Sequence, residues 1–150
     1  MEDKANVKFR LVSIENERII SEFKDFDFSD FDEEKLRFQY KIETLVKISE
    51  DTILVTADAR YSYEGKELMT ASATFNYSVL NLNSAVVLDK ENQKLNTKAD
   101  IFPSLVGAAY NTLRGIVYAR TVGTQLSKYP MPMIEVSTLV KKNGIAVEEY

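Results

Sequence analysis

Three consecutive stretches of this 150-residue chain alternate apolar and polar residues almost without error, and that alternation restricts the fold more than any other feature. In residues 36–48, Leu36, Phe38, Tyr40, Ile42, Val46 and Ile48 share one phase, with Thr44 the mild exception. Arg37, Gln39, Lys41, Glu43 and Lys47 share the other, with Leu45 the one apolar intruder. Successive side chains of a strand point to opposite faces, so the pattern predicts a long strand with one buried and one wet face, which favours an antiparallel sheet. Residues 49–51 then read as a turn. The second run sets Ile53, Val55, Ala57, Ala59, Tyr61 and Tyr63 against Thr56, Asp58, Arg60 and Glu64. The third sets Met69, Ala71, Ala73, Phe75, Tyr77 and Val79 against Thr70, Ser72, Thr74 and Asn76. Glu64-Gly65-Lys66 closes a hairpin between them, Gly65 supplying the positive φ of a tight turn. An earlier run, residues 7–23, is strand-like with Phe9 and Leu11 in phase. Its phase slips near Ser13, which predicts a bulge or two shorter strands.

The C-terminal part of the chain reads differently. Residues 101–134 contain no acid, although the protein holds 23. Their charges are Arg114, Arg120 and Lys128, so a chain of net charge −4 carries −7 outside this stretch. Pro103 suits the first turn of a helix, where its missing N–H costs nothing, and Gly123 suits the left-handed position that ends one. The spacing predicts a helix over 103–122, roughly 30 Å long. Phe102, Leu105, Val106, Ala109, Leu113, Ile116 and Val117 form a broad apolar face that packs on the sheet. Gly107, Asn111, Gly115 and Ala119, flanked by Ala108 and Thr112, form a stripe of small residues. An interior helical glycine costs roughly 1 kcal/mol relative to alanine, so two of them ask for a packing reason. Close approach of a helix from another copy is one; easier packing on the protomer's own sheet is the other.

Two irregular stretches remain. Residues 23–31 place four phenylalanines among acids, either as a connection whose rings cap the core or as an acidic aromatic lip for a partner. Residues 83–98 form a long polar connection around Val86-Val-Leu88, a length at which loops are functional or mobile. The expected class is α+β: a four-stranded antiparallel sheet with one long helix on one face, in a single domain spanning residues 1–150.

Composition removes several functions. Without histidine or cysteine there is no Ser-His-Asp constellation, no thiol nucleophile, no disulfide, and neither imidazole nor thiolate for a metal. A sequence pI near 5.0 argues against nucleic acid as a partner. The N-terminus lacks the apolar core of a signal peptide, and Asn111, Arg114 and Arg120 interrupt the best candidate membrane span. A cytoplasmic, non-enzymatic protein without cofactor or metal is expected. The competing class, a small hydrophobic ligand binder or enzyme, would use an acid such as Asp58 or Glu43 as a general base, but both fall on predicted solvent faces.

The order of these elements resembles the SecB family of export chaperones. The resemblance rests on four strands, a long loop, Ile101-Phe-Pro-Ser-Leu105 opening a helix that contains Arg114 and Thr121, then Tyr129-Pro-Met-Pro-Met-Ile-Glu-Val-Ser-Thr-Leu139. It covers roughly residues 7–140, carried by order and spacing and not by one motif. It implies an ATP-independent holdase for non-native polypeptide, assembled as a homotetramer (a dimer of dimers) with the long helix at the inner interface. The interface positions are then Gly107, Ala108, Asn111, Thr112, Gly115 and Ala119. The implied client groove joins Phe75, Tyr77 and Val79 of the fourth strand to Leu126, Tyr129, Met131, Met133 and Ile134 of the crossover. Flexible methionine and broad tyrosine suit varied apolar clients. The family's export branch implies the secretion motor ATPase as a partner, and another branch implies an antitoxin. After Leu139 the family continues into a second helix. Here Gly144, Ile145 and Val147 are poor helix formers, so that helix is short or absent.

Overall fold

The computed structural model describes residues 8–82, 86–89, 94–97, 101–135 and 145–148. Strands β1 (Lys8–Ser21), β2 (Leu36–Lys47), β3 (Thr52–Tyr63) and β4 (Lys66–Leu80) form an antiparallel sheet in the order β1-β4-β3-β2. A single long helix, α1 (Ile101–Thr121), packs on one face of it, chiefly against β3 and β4. The α+β architecture expected from the alternation is therefore the one formed.

The alternation decides which face is covered. All six inward residues expected on β3, and all six on β4, are buried, while their neighbours are half-buried or exposed except Leu68, which is buried beside Met69. Along β2, Ile42, Thr44 and Val46 are buried and Leu36, Phe38 and Tyr40 are half-buried. The hairpin between β3 and β4 turns on Glu64 and Gly65, at φ 48° and 79°. Two consecutive positive φ values match the right-handed twist of the flanking strands, and glycine adopts one of them without strain.

β1 is one continuous strand, with register slips against β4 between Leu11 and Ser13 and between Glu15 and Arg18. The first slip falls where the phase break in the sequence placed it. β1 lies at the edge of the sheet. Its inward residues Phe9, Leu11 and Ile14 consequently stay 39–40% exposed although they share a face with Val79, Tyr77 and Phe75.

The helix begins at Ile101, two residues before the expected start, which leaves Pro103 within the first turn, where an N–H has no intrahelical partner to lose. Gly123, at φ 83°, follows its end as expected. Phe102, Leu105, Val106, Ala109, Leu113 and Val117 are buried against the sheet, and each large one contributes about 1.5–3 kcal/mol by leaving water. Ile116 is only half-buried, turned toward the margin of that face.

Two regions depart from the sequence reading. Within the stretch expected to be a polar connection, β5 (Val86–Asp89) and β6 (Lys94–Thr97) pair as a separate antiparallel hairpin. Near the C-terminus, β7 (Ile145–Glu148) adds to β2 in parallel, pairing residues 145–148 with Thr44–Lys47 and making a fifth strand. Four-residue strands are too short to establish a period of two, and backbone pairing supplies the order that the pattern lacks. The remainder of the region after Leu139, where a second helix was in question, lies outside the described residues. Among the described residues no helix is long and apolar enough to cross a membrane.

Candidate functional site

The chain leaves α1 through a single-turn 3-10 helix at Gln125–Lys128, which buries Leu126, and then runs as the crossover over the inner face. With prolines at 130 and 132 this stretch has few N–H groups to offer a ladder, so its carbonyls hold it in place. The Tyr61 hydroxyl of β3 donates to the Tyr129 carbonyl at 2.8 Å. Arg114 Nε of α1 donates to the Met131 carbonyl at 2.9 Å, and the Tyr110 hydroxyl donates to the Pro132 carbonyl. Tyr110 and Arg114 are four apart and so share a helix face. Met131 fills the space between these donors at 2% exposure, while Pro130, Pro132 and Met133 face outward, Met133 at 82%.

The two tyrosine donors are held in their neutral, protonated form by burial. Desolvation pushes the Tyr110 hydroxyl up to about 12 and that of Tyr61 higher still, opposed in both by the nearby Arg114 guanidinium. An aromatic cluster abuts the same region. Phe31 stacks on Tyr63 at 4.7 Å between ring centres and meets Tyr129 at 5.1 Å, with Phe26 and Phe28 packed beside it. The 23–31 segment thus caps the end of the core, the first of its two expected roles. Its acids stay at the surface, where Asp27 accepts the Ser29 N–H at 2.9 Å, and that bond lowers its carboxyl pKa.

The residues expected to form one client groove are divided between two places. Leu126, Tyr129, Met131, Met133 and Ile134 belong to the crossover, which is bound over Tyr61, and Tyr61 pairs with Met69 of β4. Phe75 is six residues farther along β4 and Val79 ten, so at roughly 3.3 Å per residue they lie about 20 and 33 Å away along the strand. There Phe75, Tyr77 and Val79 are at most 2% exposed, and Tyr77 meets Phe9 edge-on at 5.9 Å. They form core beneath the β1 edge. Of the eight residues, Met133 alone is fully accessible, Tyr129 and Ile134 are half-buried, and five are buried.

The expected interface stripe is more coherent. Asn111, Gly115 and Ala119 lie on the exposed face of α1, with Ala108 and Thr112 at its half-buried margin, and Tyr118 and Val122 expose more than half their surface beside them. Gly107 differs: it is buried within the protomer. Tyr61, Tyr110 and Arg114 were not read as one group from sequence. The available signal was Arg114 in a helix without acids, since such a guanidinium must find carbonyls.

The acids considered for catalysis both lie on the open face of the sheet, Glu43 exposed and Asp58 half-buried. Glu43 pairs with Lys41 at 2.6 Å on the open face of the sheet, where both are exposed. Asp58 lines an open trough of about 1110 Å³ on that same face, together with Arg18, Lys41, Arg60, Thr70 and Ser72. Ile20, Phe38, Tyr40, Ala59 and Ala71 line it beside these polar side chains. Among the described residues no cluster of acidic side chains could hold a metal ion. No model of a known protein family matches the chain, and comparison with curated proteins gives no match.

Proposed function

We propose that this protein is an ATP-independent holdase of the SecB type, a cytoplasmic homotetramer that binds non-native polypeptide. The observation that carries the reading is the crossover: an irregular, proline-broken, methionine-bearing segment is fastened through its carbonyls over an apolar sheet, with Met133 projecting into solvent. Large exposed apolar side chains on a soluble protomer mark interaction surfaces when they cluster. Here one set lies on β1 (Phe9, Leu11, Ile14) and another at the end of α1 (Tyr118 and, just past the helix, Val122), beside the glycine-bearing stripe. Covering that helix in a dimer of dimers accounts for the cost of Gly115 in mid-helix. The crossover and the inner face it covers then remain as the client region, with Tyr129, Met133 and Ile134 at its accessible surface.

The test combines solution mass with aggregation of a reduced, unfolded test protein in the absence of nucleotide. A tetramer that slows aggregation in proportion to its concentration is expected; a monomer without effect overturns the reading. Recovery of one dominant client in place of many unfolded chains would redirect it to a dedicated antitoxin chaperone, and binding to the secretion motor ATPase would place it in export.

A further inference from the structure

We infer that Tyr61, Tyr110 and Arg114 form a site that reads the main-chain carbonyls of an extended apolar polypeptide, and that residues 129–132 of this chain fill it in the resting state. The inference rests on the holdase reading and assigns it a site and a means of regulation. All three donors engage carbonyls, the one acceptor that every polypeptide offers regardless of sequence. The occupant has the form of a bound peptide: a run outside helix and strand, with Met131 buried as its anchor and Pro130 and Pro132 turned outward. The anchor space accepts methionine, and the flexible residues used to fill irregular apolar space are exchangeable for other apolar side chains of similar volume. The site is therefore chemically suited to any unfolded apolar segment, and it is closed by a piece of the protein with the same chemistry.

Competition of this kind has an unusual signature. A client that displaces the crossover uses the same donors, so weakening a donor destabilises the closed and the client-bound states together. Weakening Met131 destabilises the closed state alone and raises the fraction of open protein, which tightens apparent client affinity in proportion. A groove whose wall is the crossover predicts the reverse, because Met131 would then touch the client.

The probe is a reduced, carboxymethylated, permanently unfolded protein carrying a fluorophore, titrated with the full-length chain. Met131→Ala is expected to bind it about tenfold more tightly than wild type, and Tyr110→Phe to bind within about twofold of wild type. Hydrogen exchange of wild-type residues 129–135 is expected to accelerate on saturation with the probe, and this measurement stands even where Met131→Ala fails to fold. Weaker or unchanged binding by a folded Met131→Ala, or slower exchange of the crossover on binding, overturns the self-occupied site and leaves the holdase reading intact. Binding by neither wild type nor Met131→Ala overturns both; binding by Met131→Ala alone supports the closed site directly.

Discussion

Gly115 sits in mid-helix with nothing within 4 Å of where a Cβ would stand. In the protomer a side chain there meets only solvent, and replacing glycine removes up to about 1 kcal/mol of backbone entropy cost. Gly115→Leu should therefore leave the folded protomer as stable as wild type or slightly more so. If the small-residue stripe is a close helix contact between copies, the same substitution should lower the solution mass, read by light scattering beside a denaturation curve. An unchanged mass with unchanged stability would remove the stripe from the interface. Gly107 offers no such clean probe, since it is buried within the protomer and any added atom tests internal packing. Spacing alone could not separate these two glycines. Four-residue periodicity places them on neighbouring parts of the helix surface, and only the tertiary arrangement decides which part the chain itself covers.

At the scale of elements, the alternating runs were legible because each strand has one wet face, so every second residue reports the fold. The phase slip near Ser13 was legible for the same reason, and it marks the first bulge of β1. The helix was legible from Pro103 and Gly123, to within two residues at its start. What did not appear in the pattern was contact between elements of no fixed period. Phe26, Phe28 and Phe31 alternate irregularly with acids, yet they pack together, Phe26 and Phe31 meeting Tyr63 and Phe31 also Tyr129. The residues expected to share one groove are spread along the sheet for a related reason. Residue type marked Phe75, Tyr77 and Val79 as apolar, but position along β4 separates them from the crossover. Phe31→Ala tests the cap. Its ring is only partly buried, so the loss should be about 2 kcal/mol, below the 3–5 typical of a fully buried phenylalanine, and measurable by chemical denaturation. A variant of unchanged stability would restore the alternative role of this segment as a lip for a partner.

For the molecule as a whole, the absence of histidine and cysteine removes the side chains that ordinarily titrate around neutrality. The shifted groups that join the layers are tyrosines: Tyr61 and Tyr110 tie sheet and helix to the crossover, and Tyr77 lies in the core below the β1 edge. Burial holds the Tyr77 and Tyr110 hydroxyls up at about 12, against 10.0 for the free side chain, and holds Tyr61 higher. The sign follows from linkage. Above pH 10 the unfolded chain releases these protons while the folded chain retains them, so the unfolded state binds fewer protons and stability falls as pH rises. Below pH 10 the contribution is fully present; it is lost progressively as pH climbs through about 12. Denaturation midpoints should accordingly be flat near neutrality and fall steeply in that alkaline window, with tyrosinate absorbance from the buried residues appearing together with loss of structure. Tyr110→Phe removes one shifted proton and should shallow the fall, at the cost near neutrality of the hydrogen bond to Pro132, about 1 kcal/mol. Titration of all eight tyrosines near pH 10 with the fold intact would mean that the hydroxyls reach water, and the fastening of the crossover to the inner face would fail with it.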